Sequence, residues 1–453
     1  MSQADITIPA ADAAPKIVFE IHEQIIAYSS LYGMTLLCVI WGSLRSLKFI
    51  KKHITKKEAI EASINVKKAF KFPITASIVL FSLYLLFKCD AECRNNALDK
   101  VKEHAPPVVF EKYEEGVAFL HTKFPFLATF SANSTEETPE VVPENDLQHV
   151  RQFFNNTVKP LITKENCMFL LLVLLCYEGT FALAAILNGL FSKIYRIVTL
   201  GFFTKSTFRI KFDDGKDGWN EEEAENAKET DWKKTSAIYY DSHYLVTLAF
   251  CSVLGIRHLI SRHFITNDLM GIAFSIVGIE ALHLSSFKAG VVLLSGLFFY
   301  DIFWVFGTEV MTTVAKSIDA PILLQFPQDI LRNGLLSNKH AMIGLGDIVI
   351  PGIFIALIYR FDNRNFLRGK VEARKYFYFA TSIVAYAIGL CITMGIMHFF
   401  KAAQPALLYL VPCCILIPLG VAKLFGEADV LWNYSEDQFV TPGDKKDDKK
   451  KKN

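Results

Sequence analysis

Nine stretches of about twenty mostly apolar residues run through the chain, near 25–47, 72–88, 167–190, 244–261, 264–282, 288–311, 342–361, 376–400 and 406–425. That length is what a helix needs to cross a hydrocarbon core of roughly 30 Å. Hydrocarbon offers no partner to a free N–H or C=O, so runs of this kind specify helices, whose backbone bonds are all internal. The second run is short, and only Arg262 and His263 separate the fourth from the fifth, so eight and ten are the neighbouring counts. With 52% hydrophobic residues and 38 phenylalanines in 453 positions, the chain is too apolar for a soluble protein of its size. The expected fold class is an all-α polytopic membrane protein of about nine transmembrane helices.

Charge distribution orients the spans. Nine Lys and Arg against two Glu lie between Arg45 and Lys71, and six basic against two acidic residues lie between Arg360 and Lys375. Cytosolic loops carry such an excess, and nine spans place both loops on one side. The N-terminus is then luminal and the C-terminus cytosolic. The first 20 residues lack a basic n-region and an apolar h-region, so the first span is expected to act as a start-transfer anchor. The long segment 88–166 falls in the lumen, leans acidic, and carries glycosylation sequons at Asn133 and Asn155. A third sequon at Asn433 falls on the cytosolic tail, where it should be silent.

These boundaries divide the chain into a luminal N-terminus (1–24), N-terminal scaffold spans (25–190), a cytosolic loop (191–243), a dense set of spans with short connections (244–425) and a basic cytosolic tail (426–453). Within that loop, residues around 203–236 mix charges without periodicity and read as solvated and mobile. Residues 116–130 are apolar and aromatic enough either to lie on the membrane surface or to form a small luminal packing element. The nine cysteines show no metal-like spacing. Cys38, Cys176, Cys251, Cys391, Cys413 and Cys414 lie in spans and read as small packing residues. Cys89 and Cys93 stand where a disulfide is permitted, a bridge being the less favoured reading.

Two spans each contain an aspartate. An ionised carboxylate in hydrocarbon costs at least roughly 2.5–3.5 kcal/mol, so Asp301 and Asp347 are functional candidates. Asp301 lies about 20 Å along a sixth span starting near 288, at 1.5 Å per residue. Asp347 lies about 8 Å into a seventh span that runs back from near 342. The two acids therefore reach similar depth near the luminal boundary. Asp347 closes Gly344-Leu345-Gly346-Asp347. Glycine permits close backbone approach, useful where helix, extended substrate and water meet; a Gly-mediated helix seam would explain the glycines but not the acid. Tyr300 precedes Asp301, with catalytic support and packing equally open to it. Gln404, Pro405, Ala406 and Leu407 open the ninth span at the depth of the aspartates. Proline at a helix start is ordinarily a matter of its φ.

Two carboxyls side by side share a proton, and their titration belongs to the pair. One can deprotonate water while the other, protonated, polarises a peptide carbonyl: acid–base hydrolysis without a covalent intermediate. Such chemistry needs a hydrated cavity between the sixth and seventh spans, and a substrate helix that unwinds locally.

These motifs, YD, GLGD and QPALLYLVP on three spans, resemble the intramembrane aspartyl proteases. Their surroundings, FYDIFWVFGTEVM, FPQDIL and AMIGLGDIVIPGIFIAL, are similar to signal peptide peptidase rather than to presenilin. The resemblance covers roughly 240–425; the first 160 residues share only the layout. It implies Asp301 and Asp347 as the catalytic dyad, Gly344 and Gly346 as residues shaping its approach, and Pro405, Ala406 and Leu407 as lining the site and positioning substrate. It further implies type II transmembrane substrates, including remnant signal peptides, and no cofactor or metal. The bilayer, a second copy of the chain or partners in endoplasmic-reticulum degradation are the remaining implied associations; nothing points to nucleic acid. Lys450 and Lys451, fourth and third from the end, resemble a dilysine retrieval signal for the endoplasmic reticulum.

Other intramembrane polar residues are expected to be structural. Glu178, Glu280 and His283 read as paired or interfacial, and Asp329 as a cap for the segment after it. Rival functions are a proton-coupled transporter, disfavoured by the lack of repeated halves, and a non-catalytic helix-binding adaptor.

Overall fold

The computed structural model describes residues 21–56, 63–88, 164–198, 207–212, 236–308, 322–334, 339–368, 375–400 and 404–436. Asn133, Asn155, Cys89, Cys93, Lys450, Lys451 and the segment 116–130 lie outside the described residues. The long helices are α1 (Ile21–Lys56), α2 (Val66–Lys88), α3 (Lys164–Val198), α4 (Ser242–Ser261), α5 (Phe264–Ala281), α6 (Phe287–Phe306), α8 (Leu345–Asp362), α10 (Phe377–Phe400) and α11 (Leu407–Leu424). Short helices α7 (Ile330–Asn333), α9 (Arg364–Leu367) and α12 (Ala428–Trp432) join or follow them. Among the described residues, seven helices are long and apolar enough to cross a membrane: α1, α3, α4, α5, α6, α10 and α11. Helices also occupy the two remaining expected places, as α2 and α8. The latter carries Asp347, Arg360 and Asp362 within eighteen residues.

The bundle is built around α8. From Pro351 to Asp362 every residue of α8 is buried, because α1, α5, α6, α10 and α11 surround it. This explains its all-round apolar sequence: a helix with no lipid-facing side has no amphipathic stripe. Peripheral helices show the opposite pattern, as in α4, where Cys251 and Gly255 face inward and Val253, Ile256 and Ile260 are exposed. The α4–α5 turn is as tight as the sequence implied. Arg262 takes the left-handed conformation with φ 45°, and the His263 ring accepts from the Ile265 amide at 3.2 Å to cap α5.

Four features correct the expected picture. First, short strands accompany the helices: β1 (Ser63–Ile64) pairs with β4 (His283–Leu284), and β2 (Thr207–Phe212), within the stretch read as solvated, pairs antiparallel with β3 (Ser236–Asp241) at its end. Second, β5 (Leu323–Pro327) pairs antiparallel with β6 (His340–Gly344), so strand rather than helix leads into Asp347, and α8 starts at Leu345 instead of near 342.

Third, Arg360 is not a loop charge. It is fully buried, with Glu436 Oε1 at 3.0 Å and Ser46 Oγ at 2.7 Å. Glu436 belongs to a tail segment that docks into the bundle, its amide bonding Ser285 O at 2.7 Å and its carboxylate meeting His283 Nε2 at 2.6 Å. Glu280 is paired as well, with Arg45; Glu178 is exposed. Fourth, Asp329 stands at the N-cap of α7 without a side-chain cap bond; its backbone carbonyl accepts from Arg332 instead, at 3.0 Å.

Candidate active site

The site lies where the C-terminal end of α6 meets the N-terminal end of α8. A Cβ on Gly290 of α6 would fall 2.5 Å from the ring of Phe354 on α8, so the two helices touch there through bare backbone. Eleven residues further along α6 is Asp301, and seven residues back along α8 is Asp347. The helices are therefore antiparallel, and their carboxyls are close enough to interact electrostatically. The glycine that brings them together is Gly290, which the sequence did not single out.

Asp301 is 4% exposed and accepts a hydrogen bond from the Leu407 amide, N to Oδ2 2.9 Å. Leu407 is the first residue of α11, and the amides of a first helical turn have no partner within the helix. Pro405 and Ala406 deliver that amide: Pro405 is buried, its carbonyl accepts from Leu408 at 3.3 Å, and Ala406 stands at the N-cap with φ −66° and ψ −37°. The N-terminus of a helix also carries partial positive charge, which favours a carboxylate. Gln404, just outside, meets the Tyr409 hydroxyl at 3.4 Å.

Asp347 is in the first turn of α8, so both carboxyls stand at helix N-termini, Asp347 at its own and Asp301 at that of α11. Gly344 ends β6 and forms the N-cap of α8. A Cβ there would lie 3.5 Å from Asp347 Oδ2, and one on Gly346 would meet nothing within 4 Å. Neither glycine is a helix-packing seam; one borders the carboxylate and the other faces open space. Leu345 anchors the turn by donating its amide to Ile322 O at 3.1 Å. Tyr300 packs its ring against Trp304, centroids 6.3 Å apart, with its phenol within electrostatic range of Asp301.

Three further residues, Asn267, Asp268 and Tyr386, contribute to the site without standing in any of its sequence motifs. Asn267 and Asp268, near the start of α5, hold β5: Asn267 Nδ2 donates to Leu323 O at 2.6 Å, and Asp268 Oδ1 accepts from the Gln325 amide at 2.9 Å. Since β5 pairs with β6, these side chains fix the strand that ends at Gly344. The polar triad Thr266-Asn267-Asp268 in an otherwise apolar span was the available signal. Tyr386 of α10 is fully buried and donates its hydroxyl to the Asp347 carbonyl at 3.0 Å; no local pattern marks it.

The sequence matches signal peptide peptidase over residues 56–438. The chain belongs to the signal peptide peptidase family. It is 44% identical to intramembrane protease 2 of Caenorhabditis elegans over the whole of both chains. It is 36% identical to the signal peptide peptidases of Homo sapiens and Mus musculus, over 92% of this chain and 85% of each of theirs. No solved structure matches it. As a member of the signal peptide peptidase family it is a multi-pass intramembrane aspartic endopeptidase, acting on transmembrane peptides within the bilayer. The transporter and adaptor readings are not favoured.

Proposed function

We propose that Asp301 and Asp347 are the reacting pair of this signal peptide peptidase family member, and that it cleaves transmembrane segments of type II orientation, remnant signal peptides among them. The observation that carries the reading is the meeting of two acids from antiparallel helices at one end of the bundle, with the Leu407 amide on one of them. The pair holds one proton between its carboxyls. The ionised member takes a proton from water as that water attacks the scissile carbonyl, and the protonated member donates to the carbonyl oxygen. The resulting tetrahedral intermediate collapses when the amine leaves with a proton returned by the pair.

The remaining residues act by placement. Pro405 and Ala406 present the Leu407 amide, which stabilises charge on Asp301 and fixes its rotamer. Open space beside Gly346 admits water and an unwound stretch of substrate, and Gly344 keeps the flank of Asp347 clear. The substrate has to unwind because a helix engages its own peptide groups.

The charge asymmetry of the loops supports a luminal N-terminus and a cytosolic C-terminus; the dilysine-like Lys450 and Lys451 support residence in the endoplasmic reticulum, and the sequons on the luminal side support glycosylation of Asn133 and Asn155. Asn433 is engaged on both amide atoms, accepting from Lys288 Nζ at 2.9 Å and donating to Asp429 O at 3.0 Å, which accords with a silent third sequon. The substrate class is tested by reconstituting the protein with one reporter span in each orientation and locating the cut by mass spectrometry. Cleavage confined to the type II reporter is expected; preferential cleavage of the type I reporter would overturn the assignment.

A further inference from the structure

Pro351 leaves the backbone of Asp347 short of a partner. In a regular helix the carbonyl of residue 347 would accept from the amide of residue 351. Residue 351 is a proline inside α8. It has no N–H, and its ring presses on the carbonyl four residues earlier, which is that of Asp347. The disruption therefore falls on the peptide from which the Asp347 side chain is hung. An unpartnered carbonyl in a buried helix is destabilising, and its peptide plane is free to tilt.

Tyr386 answers that vacancy from another helix. Its hydroxyl donates to the Asp347 carbonyl at 3.0 Å, from a side chain that is fully buried midway along α10. A buried tyrosine hydroxyl needs a partner, and here the partner is the one carbonyl in α8 that Pro351 deprives. We infer that Tyr386 is a positioning residue for Asp347, standing in for the amide that Pro351 lacks and fixing the peptide that aims the carboxyl.

This inference rests on the reading of Asp347 as one of the reacting pair. It is tested on the full-length protein in detergent with a fluorogenic transmembrane peptide, comparing wild type, Asp347→Asn, Tyr386→Phe, Pro351→Ala and the double variant Pro351→Ala/Tyr386→Phe. Tyr386→Phe keeps the ring and removes only the donor. It should lower kcat on the order of tenfold with KM within about twofold, the pattern of a lost transition-state alignment. Pro351→Ala returns an amide to position 351, so within that background Tyr386→Phe should cost less than about twofold. Tyr386→Phe with wild-type kcat overturns the assignment, as does an equal loss in both backgrounds or a loss that tracks only folded protein. Cleavage by Asp347→Asn would instead overturn the reading of the pair. A dead Asp347→Asn beside a fully active Tyr386→Phe removes Tyr386 alone.

Discussion

The Leu407 amide stands 2.9 Å from Asp301 Oδ2, joining the start of α11 to the acid on α6. One contact thus explains why a short proline-containing motif, more than a hundred residues downstream, belongs to the same site. The motif works through its backbone, so its side chains act by setting where the helix begins.

Loss of that setting should be visible in Pro405→Ala. Freeing φ at the buried position before the N-cap lets the first turn of α11 shift away from Asp301. Cleavage should fall on the order of tenfold, mainly in kcat. The ratio of kcat to KM for a transmembrane peptide measures it, and unchanged kcat would show that the proline serves only to start the helix.

The two glycines of the GLGD motif should respond differently. A methyl on Gly344 would sit 3.5 Å from Asp347 Oδ2, so Gly344→Ala should depress kcat. A methyl on Gly346 meets no protein atom within 4 Å. Gly346→Ala should leave the fold intact, even stabilise it by roughly 0.5–1 kcal/mol through helix propensity, while raising KM if substrate uses that space. Thermal unfolding and steady-state kinetics on the pair separate the two effects.

Gly290→Ala should wedge α6 from α8. Its Cβ would lie 2.5 Å from the ring of Phe354, which is fully buried. Overpacking of this kind costs about 1–3 kcal/mol, and here it also changes the separation of the helices that carry Asp301 and Asp347. A lower unfolding temperature together with reduced kcat is expected; a wild-type melting profile would contradict the close packing.

What was legible in the sequence and what was not divide along the range of the interactions. Apolar runs place the helices because span length is a local property. YD, GLGD and QPAL mark the candidate site because each is a contiguous departure from that apolar background. The β5–β6 hairpin is not legible locally because the two short strands, LLQFP and HAMIG, pair across a thirteen-residue separation, Pro327 to His340. Tyr386 reads as one more aromatic in an apolar span until α8 is packed beside it. Arg360 reads as a loop charge because its partner, Glu436, lies 76 residues away in a segment that reads as tail. Gly290 is one glycine among 24, and only the ring of Phe354 shows why it is there.

The tail segment should be a stability element with a defined pH response. Burial would raise the Glu436 carboxyl, but Arg360, His283 and Tyr434 outweigh it and hold the group below its ordinary 4.5. A depressed carboxyl contributes stability that is present above the unfolded value and lost as pH falls through the lower folded value. Stability should thus decline below about pH 4.5, and less steeply in Glu436→Gln. Glu436→Ala leaves the fully buried Arg360 without its carboxylate and should cost about 3–5 kcal/mol. Unfolding midpoints in detergent across pH measure both.

Cleavage of a type II transmembrane peptide by purified wild type, Asp301→Asn and Asp347→Asn, with substrate capture measured alongside, decides whether the two aspartates act as a pair. Hydrolysis by wild type, none by either variant, and retained peptide binding by both are expected. Residual cleavage by either variant at more than about a hundredth of the wild-type rate would contradict a shared carboxyl pair, since acid–base catalysis by a positioned group is worth about 10²–10⁴-fold.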